Sequence, residues 1–286
     1  MYDVIIIGKG PAGISASLYT KRNNLNTLVI GKDKGALLKA ERIDNYYGEL
    51  EINGLELARK GIKQAKDLGV EVIEDEALGI SWDSSFNVTT KNDKYESKAL
   101  IIATGSNRIA PIIKGVKEFE GKGISYCAIC DGFFYKQKDV AVLGSGDYAV
   151  HEAMQLLPLV NSITILTNGK EIVENRLEDL KINDKQIKEI RGEGKVSKVE
   201  FLDNTSISVD GIFIAEGTAS SIDFARSLGI LTEDNKIVVN SKMETNIQGL
   251  YACGDCTGGL FQISKAVYEG AEAGISVSKY LKDKAK

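Results

Sequence analysis

Cys127-Ala128-Ile129-Cys130, followed directly by Asp131 and Gly132, sets two thiols at a C-x-x-C spacing. A pair at this spacing forms and breaks a disulfide inside one tight turn. The chemistry is thiol–disulfide exchange, in which a thiolate attacks a disulfide sulfur. Within C-x-x-C the second thiol and nearby backbone N–H groups stabilise one anion and lower its pKa. Asp131 is a carboxylate next to Cys130, a candidate proton donor or acceptor. Its other reading is to cap or end the turn.

Cys253 and Cys256 form a second C-x-x-C. They read as a second redox pair, as half of a four-Cys zinc site with Cys127 and Cys130, or as small buried residues. The separation of the two pairs far exceeds the ~15–20 residues of a zinc ribbon, so burial is preferred and no metal site is expected. His151 is the single histidine, which excludes multi-His metal chemistry; it reads as a helix-surface residue.

Two glycine-rich loops bracket the first cysteine pair. Gly8-Lys9-Gly10-Pro11-Ala12-Gly13 fits G-x-G-x-x-G, between the apolar run Asp3 to Ile7 and a helical stretch to Arg22. The first glycine allows the turn, the second lets backbone approach a pyrophosphate, and the third lets helix pack on strand. Pro11 suits a first helical turn, and the helix N-terminus offers its N–H groups to phosphate. The acid expected for a ribose hydroxyl at the end of the next strand is missing: Ile30-Gly31-Lys32 stands there, with Asp33 the nearest carboxylate. Gly144-Ser145-Gly146-Asp147-Tyr148-Ala149 keeps the form G-x-G-x-x-A.

The elements that must position these residues follow from periodicity. Strands are expected at 3–7, 26–30, 70–73, 99–103, 139–143, 162–166, 196–201, 206–214 and 250–253. Helices are expected at 14–22, 55–68, 150–157 (ending near Pro158) and 262–281. Residues 80–98 alternate and turn at Asn92-Asp93, as in an antiparallel meander whose packed face Trp82 covers. The two strand–glycine loop–helix units are an internal repeat.

The 286 residues suffice for two domains. Composition is that of a globular protein, with 43% hydrophobic and 27% charged residues. A net charge of −4 without a long basic run argues against nucleic acid. No apolar run approaches a membrane span, and residues 1–8 lack the pattern of a signal peptide, so no membrane association and a cytoplasmic location are expected.

Together the motifs resemble the low-molecular-weight, thioredoxin reductase-type flavoproteins. The first loop is similar to that family's FAD pyrophosphate loop. Asp44-Asn45-Tyr46-Tyr47-Gly48 resembles its segment near the flavin, and Ile102-Ala103-Thr104-Gly105 the motif closing its FAD domain. Cys127 to Gly132 resembles its redox disulfide. Gly249-Leu250-Tyr251-Ala252-Cys253-Gly254-Asp255 resembles its second FAD motif. The resemblance implies an α/β fold of two Rossmann-like, three-layer ββα nucleotide-binding domains, the second inserted into the first. FAD would be held by residues 1–112 and 239–286, and a pyridine-nucleotide-type domain, 113–238, would carry the disulfide.

It implies FAD contacts from Gly8, Gly10, Pro11, Ala12, Gly13, Leu38, Asn45, Ala77, Ala103, Thr104, Gly105, Gly254, Asp255, Gln262 and Ile263. It places Cys130 nearer the flavin and makes Cys127 the thiol that attacks thioredoxin. It also implies a homodimer, and rotation of the second domain about strands near 111–114 and 238–242. NADPH enzymes of this type carry an H-R-R-x-x-x-R segment for the 2′-phosphate. Here Leu166-Thr167-Asn168-Gly169-Lys170-Glu171 stands instead, with no arginine before Arg176, and Glu216-Gly217-Thr218 replaces a G-H-x-P-N-like stretch. That departure resembles the ferredoxin-dependent flavin thioredoxin reductases. Ferredoxin is therefore the expected donor and NADPH a doubtful one. The alternatives are an NADPH-dependent thioredoxin reductase and, from another class, a zinc- or nucleotide-binding redox sensor. Lys21-Arg22, Arg59-Lys60 and Lys136/Lys138 are candidates for a basic ferredoxin surface.

Overall fold

The computed structural model describes residues 1–32, 35–105, 111–172, 180–217 and 219–284. The chain divides into two compact units, Met1–Asn107 with Ser220–Lys286, and Arg108–Ala219. The second unit is thus inserted into the first.

The first unit opens with strand β1 (Tyr2–Ile7), helix α1 (Pro11–Arg22) and strand β2 (Thr27–Ile30). Val4 to Ile7 are buried, as a parallel strand covered on both faces requires. A short helical turn, Ala36–Lys39, precedes helix α2 (Gly54–Asp67), where Asn53 Oδ1 accepts from Glu56 N at 2.9 Å and caps the helix. Strands β3 (Glu71–Ile73), β4 (Ala77–Trp82), β5 (Phe86–Thr90) and β6 (Lys94–Ile102) follow.

The expected meander and the expected strand at 99–103 share one continuous element, β6. Its first half pairs antiparallel with β5, and its second half runs parallel to β1. Trp82 does not cover the packed face. It ends β4 beside the turn and is 58% exposed, while its cross-strand partner Phe86 is buried.

The inserted unit carries β7 (Ile124–Ser125), helix α3 (Ala128–Asp131), β8 (Asp139–Leu143), helix α4 (Asp147–Leu156), β9 (Ser162–Leu166), β10 (Lys181–Asn183), β11 (Ile187–Arg191), β12 (Lys198–Phe201), β13 (Ser206–Ser208) and β14 (Gly211–Ile214). Its parallel sheet has the order β10-β9-β8-β14-β7, with β11-β12-β13 forming a separate antiparallel sheet. The single strand expected at 206–214 is therefore two strands in two sheets. The break falls at Val209-Asp210, where Asp210 N donates to Asp139 O at 2.7 Å.

The chain then returns to the first unit with α5 (Ser221–Leu228), β15 (Thr232–Glu233), β16 (Lys236–Ile237), β17 (Leu250–Ala252) and helix α6 (Ile263–Lys284). The path β3-β2-β1-β6-β5-β4 is completed by β17, which pairs parallel with the end of β6. Residues 220–238, expected in the inserted domain, belong to the first unit because α5 packs on β4 and β16. The unit boundaries lie at 107/108 and 219/220 rather than at 112/113 and 238/239. No strand runs through 111–114 or 238–242. α6 covers α1 along a stripe of small residues. A Cβ on Gly270 would stand 2.1 Å from Ala12 O, and one on Gly274 2.6 Å from Ala16 O. Among the described residues no helix is long and apolar enough to cross a membrane.

Candidate active site

In the first unit, β1 and α1 hold the first glycine loop at the C-terminal edge of the sheet. Gly8 has φ +118°, and a Cβ there would meet Ala103 O at 2.2 Å, so the loop lies directly against the segment after β6. A Cβ on Gly13 would meet Gly8 O at 1.9 Å, which lets α1 begin hard against the strand. Gly10 faces open space and gives α1 no side-chain cap, leaving the helix N-terminus to an anion. Pro11 and Ala12 occupy the first turn of α1.

Ala103 N donates to Ile7 O at 2.7 Å and ties the segment of Ala103, Thr104 and Gly105 to β1. Gly254 and Asp255 follow β17, a Cβ on Gly254 lying 2.9 Å from that of Ala12. Asn45 Nδ2 donates to Gln262 Oε1 at 3.0 Å, so two residues 217 positions apart meet. Ile263 starts α6, Ala77 starts β4, and Leu38 lies in the turn 36–39.

Two buried polar atoms at the C-terminal edge of this sheet fit a polar ligand there. Among the described residues, Thr104 Oγ1 and Glu76 Oε1 are buried without a hydrogen-bond partner. Glu76 Oε2 pairs with Lys32 Nζ at 2.5 Å, which draws that carboxylate to the end of β2, where a Rossmann unit reads a ribose. The sequence reading missed Glu76 because it comes after β3 rather than β2. Asp33 lies outside the described residues. These features match the needs of FAD: a glycine cradle for its diphosphate, free polar atoms, and an acid near the adenosine ribose.

A network behind the second FAD motif was also missed. Glu269 Oε2 accepts from Gly254 N at 2.8 Å and from Thr257 Oγ1 at 2.9 Å. Lys265 Nζ, 3.1 Å from the same carboxylate oxygen, donates to Gly254 O, Thr257 Oγ1 and Gly258 O. This largely shielded pair holds the backbone on either side of Asp255. Its sequence signal is the i,i+4 Lys–Glu spacing one turn into α6.

In the inserted unit, Cys127 and Cys130 are joined in a disulfide with Cα atoms 5.3 Å apart. Cys127 precedes α3 and is 5% exposed, whereas Cys130 is exposed on that helix. Cys130 N donates to Cys127 Sγ at 3.2 Å. Asp131 Oδ2 accepts from Ser125 Oγ at 2.6 Å, and Ser125 Oγ in turn accepts from Cys127 N at 3.1 Å. Asp131 is thereby linked through one hydroxyl to the backbone of Cys127. Ala128 N, at the start of α3, donates to buried Glu152 Oε2 on α4 at 2.8 Å. Neither Ser125 nor Glu152 stood out in the sequence, since each acts through a backbone N–H. Ile129, Phe133 and Phe134 are exposed around the disulfide.

The second glycine loop follows β8. A Cβ on Gly144 would meet Ala215 O at 2.2 Å, and Gly146 begins α4 without a side-chain cap. Lys170 Nζ, the single cation of the stretch after β9, is engaged by Glu216 Oε1 at 3.0 Å. Arg176 lies outside the described residues.

Cys253 and Cys256 are buried free thiols in the first unit. Cys256 Sγ donates to Cys253 O at 3.2 Å and Ile102 O at 3.5 Å. Burial pushes the Cys256 thiol up to about 12 and the Cys253 thiol well above its ordinary value. Both stay protonated at neutral pH, the wrong state for exchange or metal binding. The four-Cys zinc reading also loses two ligands to the Cys127–Cys130 bond. Among the described residues no group of three His, Cys, Asp or Glu side chains could hold a metal. His151 is half-buried on α4.

Comparison with known proteins agrees with this arrangement. Residues 2–270 match the model of the pyridine nucleotide-disulphide oxidoreductase family. A thioredoxin reductase of Bacillus subtilis is 36% identical over 302 residues, covering 99% of this chain and 96% of that protein. One of Listeria innocua is 35% identical, covering 99% and 95%. The structure of an atypical thioredoxin reductase from Desulfovibrio vulgaris Hildenborough superposes with a TM-score of 0.95 at 38% identity, over 99% of both chains. A ferredoxin-flavin thioredoxin reductase from Clostridium acetobutylicum gives 0.75 at 32% identity, over 100% of this chain and 99% of that one. With its paired glycine loops and its disulfide in an inserted α/β unit, the chain belongs to the pyridine nucleotide-disulphide oxidoreductase family, as a thioredoxin reductase-like, flavin-dependent disulfide oxidoreductase.

Proposed function

We propose that this chain is a thioredoxin reductase in which an electron pair passes by way of FAD to the Cys127–Cys130 disulfide and on to the disulfide of a thioredoxin. The observation that carries the reading is the formed disulfide in a unit inserted into a cofactor-fitting one. FAD, when bound and reduced by the electron donor, would supply the two electrons and return to its oxidised form. With two protons they convert the S–S bond to two thiols. The Cys127 thiolate attacks the partner disulfide and forms a mixed disulfide, which Cys130 resolves, releasing the partner's dithiol and restoring the Cys127–Cys130 bond. Cys127 is buried in the oxidised state, so its attack requires the turn to open once reduction breaks the bond. Rotation of the inserted unit would alternate the pair between flavin and partner. A homodimer is part of the same reading.

For the electron donor, the comparisons favour a reduced pyridine nucleotide, NADPH in the usual form of this activity. The family match runs through the second glycine loop, and the curated relatives are thioredoxin reductases. Ferredoxin, expected from the sequence, is the second reading. One observation favours it: Lys170, the one cation in the sequence between β9 and Arg176, is already paired with Glu216. Likeness to the Clostridium ferredoxin-flavin enzyme adds to it. Anaerobic titration separates the two. Under the first reading stoichiometric NADPH bleaches the flavin absorbance at rates that match turnover. Flavin that stays oxidised under NADPH yet bleaches with reduced ferredoxin replaces it by the second. A Cys127→Ser variant keeps FAD and loses thioredoxin reduction; retained activity refutes the assigned role.

A further inference from the structure

The ends of three adjacent strands lie level in the inserted unit. Leu143, the last residue of β8, pairs with Leu166 of β9 on one side and with Ile214 of β14 on the other. The chain leaving β8 is the glycine loop Gly144–Gly146, and the helix it feeds is α4. Lys170 stands four residues beyond β9, at the end of the turn closed by Lys170 N donating to Thr167 O at 3.2 Å. Glu216 stands two residues beyond β14. Strands two apart in a sheet are about 10 Å from each other. The Lys170–Glu216 ion pair, 3.0 Å between charged atoms, therefore bridges from β9 to β14 across the end of β8.

In an open parallel sheet a dinucleotide lies outside the carboxyl ends of the strands, where the strand order reverses. Here the order β9-β8-β14 reverses at β8, so the bridge crosses the path a dinucleotide would take. A second observation marks the same edge. Thr167, the residue after β9, is 1% exposed, and among the described residues its Oγ1 has no hydrogen-bond partner. A Rossmann unit reads the ribose of its nucleotide at this strand end.

We propose that Lys170 and Glu216 form an ionic strap across the second dinucleotide site and set its selectivity. While the strap is closed, the two charges neutralise each other and Lys170 offers no free cation to an incoming phosphate; once Lys170 leaves, the unpaired Glu216 carboxylate presents like charge to it. When it opens, Lys170 is the cation available to a 2′-phosphate, and Thr167 Oγ1 is a hydroxyl free for the ribose. Lys170 is 56% exposed and can swing away, whereas Glu216 at 14% is the fixed anchor. The strap deepens the nucleotide reading of the donor and rests on it for physiological meaning, but its own test does not.

That test is equilibrium binding of NADP⁺ and NAD⁺ to the oxidised, FAD-loaded protein by calorimetry. Glu216→Gln keeps the size of the anchor and removes its charge. It is expected to tighten NADP⁺ by about tenfold, the scale of one exposed ion pair plus a relieved like-charge contact. Lys170→Ala is expected to bind NADP⁺ no better than NAD⁺. Equal NADP⁺ affinity in wild type and Glu216→Gln overturns the strap, as does undetectable binding in both. Wild-type NADP⁺ affinity in Lys170→Ala overturns it as well. A flavin left oxidised by NADPH sinks the nucleotide donor alone, so the two failures are read in different experiments.

Discussion

At the scale of single residues, the four cysteines differ by burial and partner rather than by motif. Cys127 and Cys130 share a bond, while Cys253 and Cys256 are sealed in the first unit as thiols with raised pKa values. After mild reduction the native protein is expected to show two thiols that react with a disulfide reagent, and four only in denaturant. Raising the pH to 9 leaves that count at two, because Cys256 loses its proton only near pH 12. Asp131 is joined through Ser125 to the backbone of Cys127, which puts a carboxylate within one hydroxyl of the disulfide turn. Asp131→Asn is expected to keep the flavin spectrum and the disulfide but to lower thioredoxin reduction by roughly a hundredfold, the usual range for a proton-transferring group. Turnover equal to wild type would leave Asp131 only its role in the turn.

At the scale of elements, the cofactor-fitting cleft depends on how closely α6 lies on α1. A Cβ on Gly270 would meet the carbonyl of Ala12, in the first turn of α1. Gly270→Ala is therefore expected to cost about 1–3 kcal/mol, since a backbone atom rather than a flexible side chain must give way. Thermal unfolding would show a lowered midpoint, and FAD would wash out more readily on gel filtration. An unchanged midpoint would mean that α6 shifts along α1 without cost. In the inserted unit, the level ends of β9, β8 and β14 place Lys170 and Glu216 on opposite sides of one loop, and no single element contains that arrangement.

At the scale of the whole molecule, the two units are unequal in chain continuity. Arg108–Ala219 is one uninterrupted segment with a complete parallel sheet of its own. The first unit needs both Met1–Asn107 and Ser220–Lys286, because β17 completes the edge of β6 and α6 covers α1. Residues 108–219 expressed alone are expected to unfold cooperatively in circular dichroism and to remain colourless. Residues 1–107 alone are expected to bind no FAD, and their co-expression with 220–286 to restore yellow protein. Flavin absorbance in the 1–107 fragment by itself would contradict this dependence.

Much of this was legible beforehand for a physical reason. Buried parallel strands are short apolar runs ending in glycine, so β1, β8 and β9 could be read from Ile5, Val142 and Ile165 and their neighbours. The glycine loops and the first C-x-x-C are local in sequence, as is the chemistry they support. The capping box of α5, Ser220 with Asp223, is equally local. Other features were hidden because they pair residues far apart in the chain: Asn45 with Gln262, Glu76 with Lys32, and Ser125 between Asp131 and Cys127. The sequence by itself determined the α/β class, the two glycine loops and the C-x-x-C spacing of Cys127 and Cys130, because each is written in contiguous residues. Only the tertiary structure decided that Cys253 and Cys256 are sealed and that Lys170 is held by Glu216. Burial and charge pairing arise when separate strands end side by side.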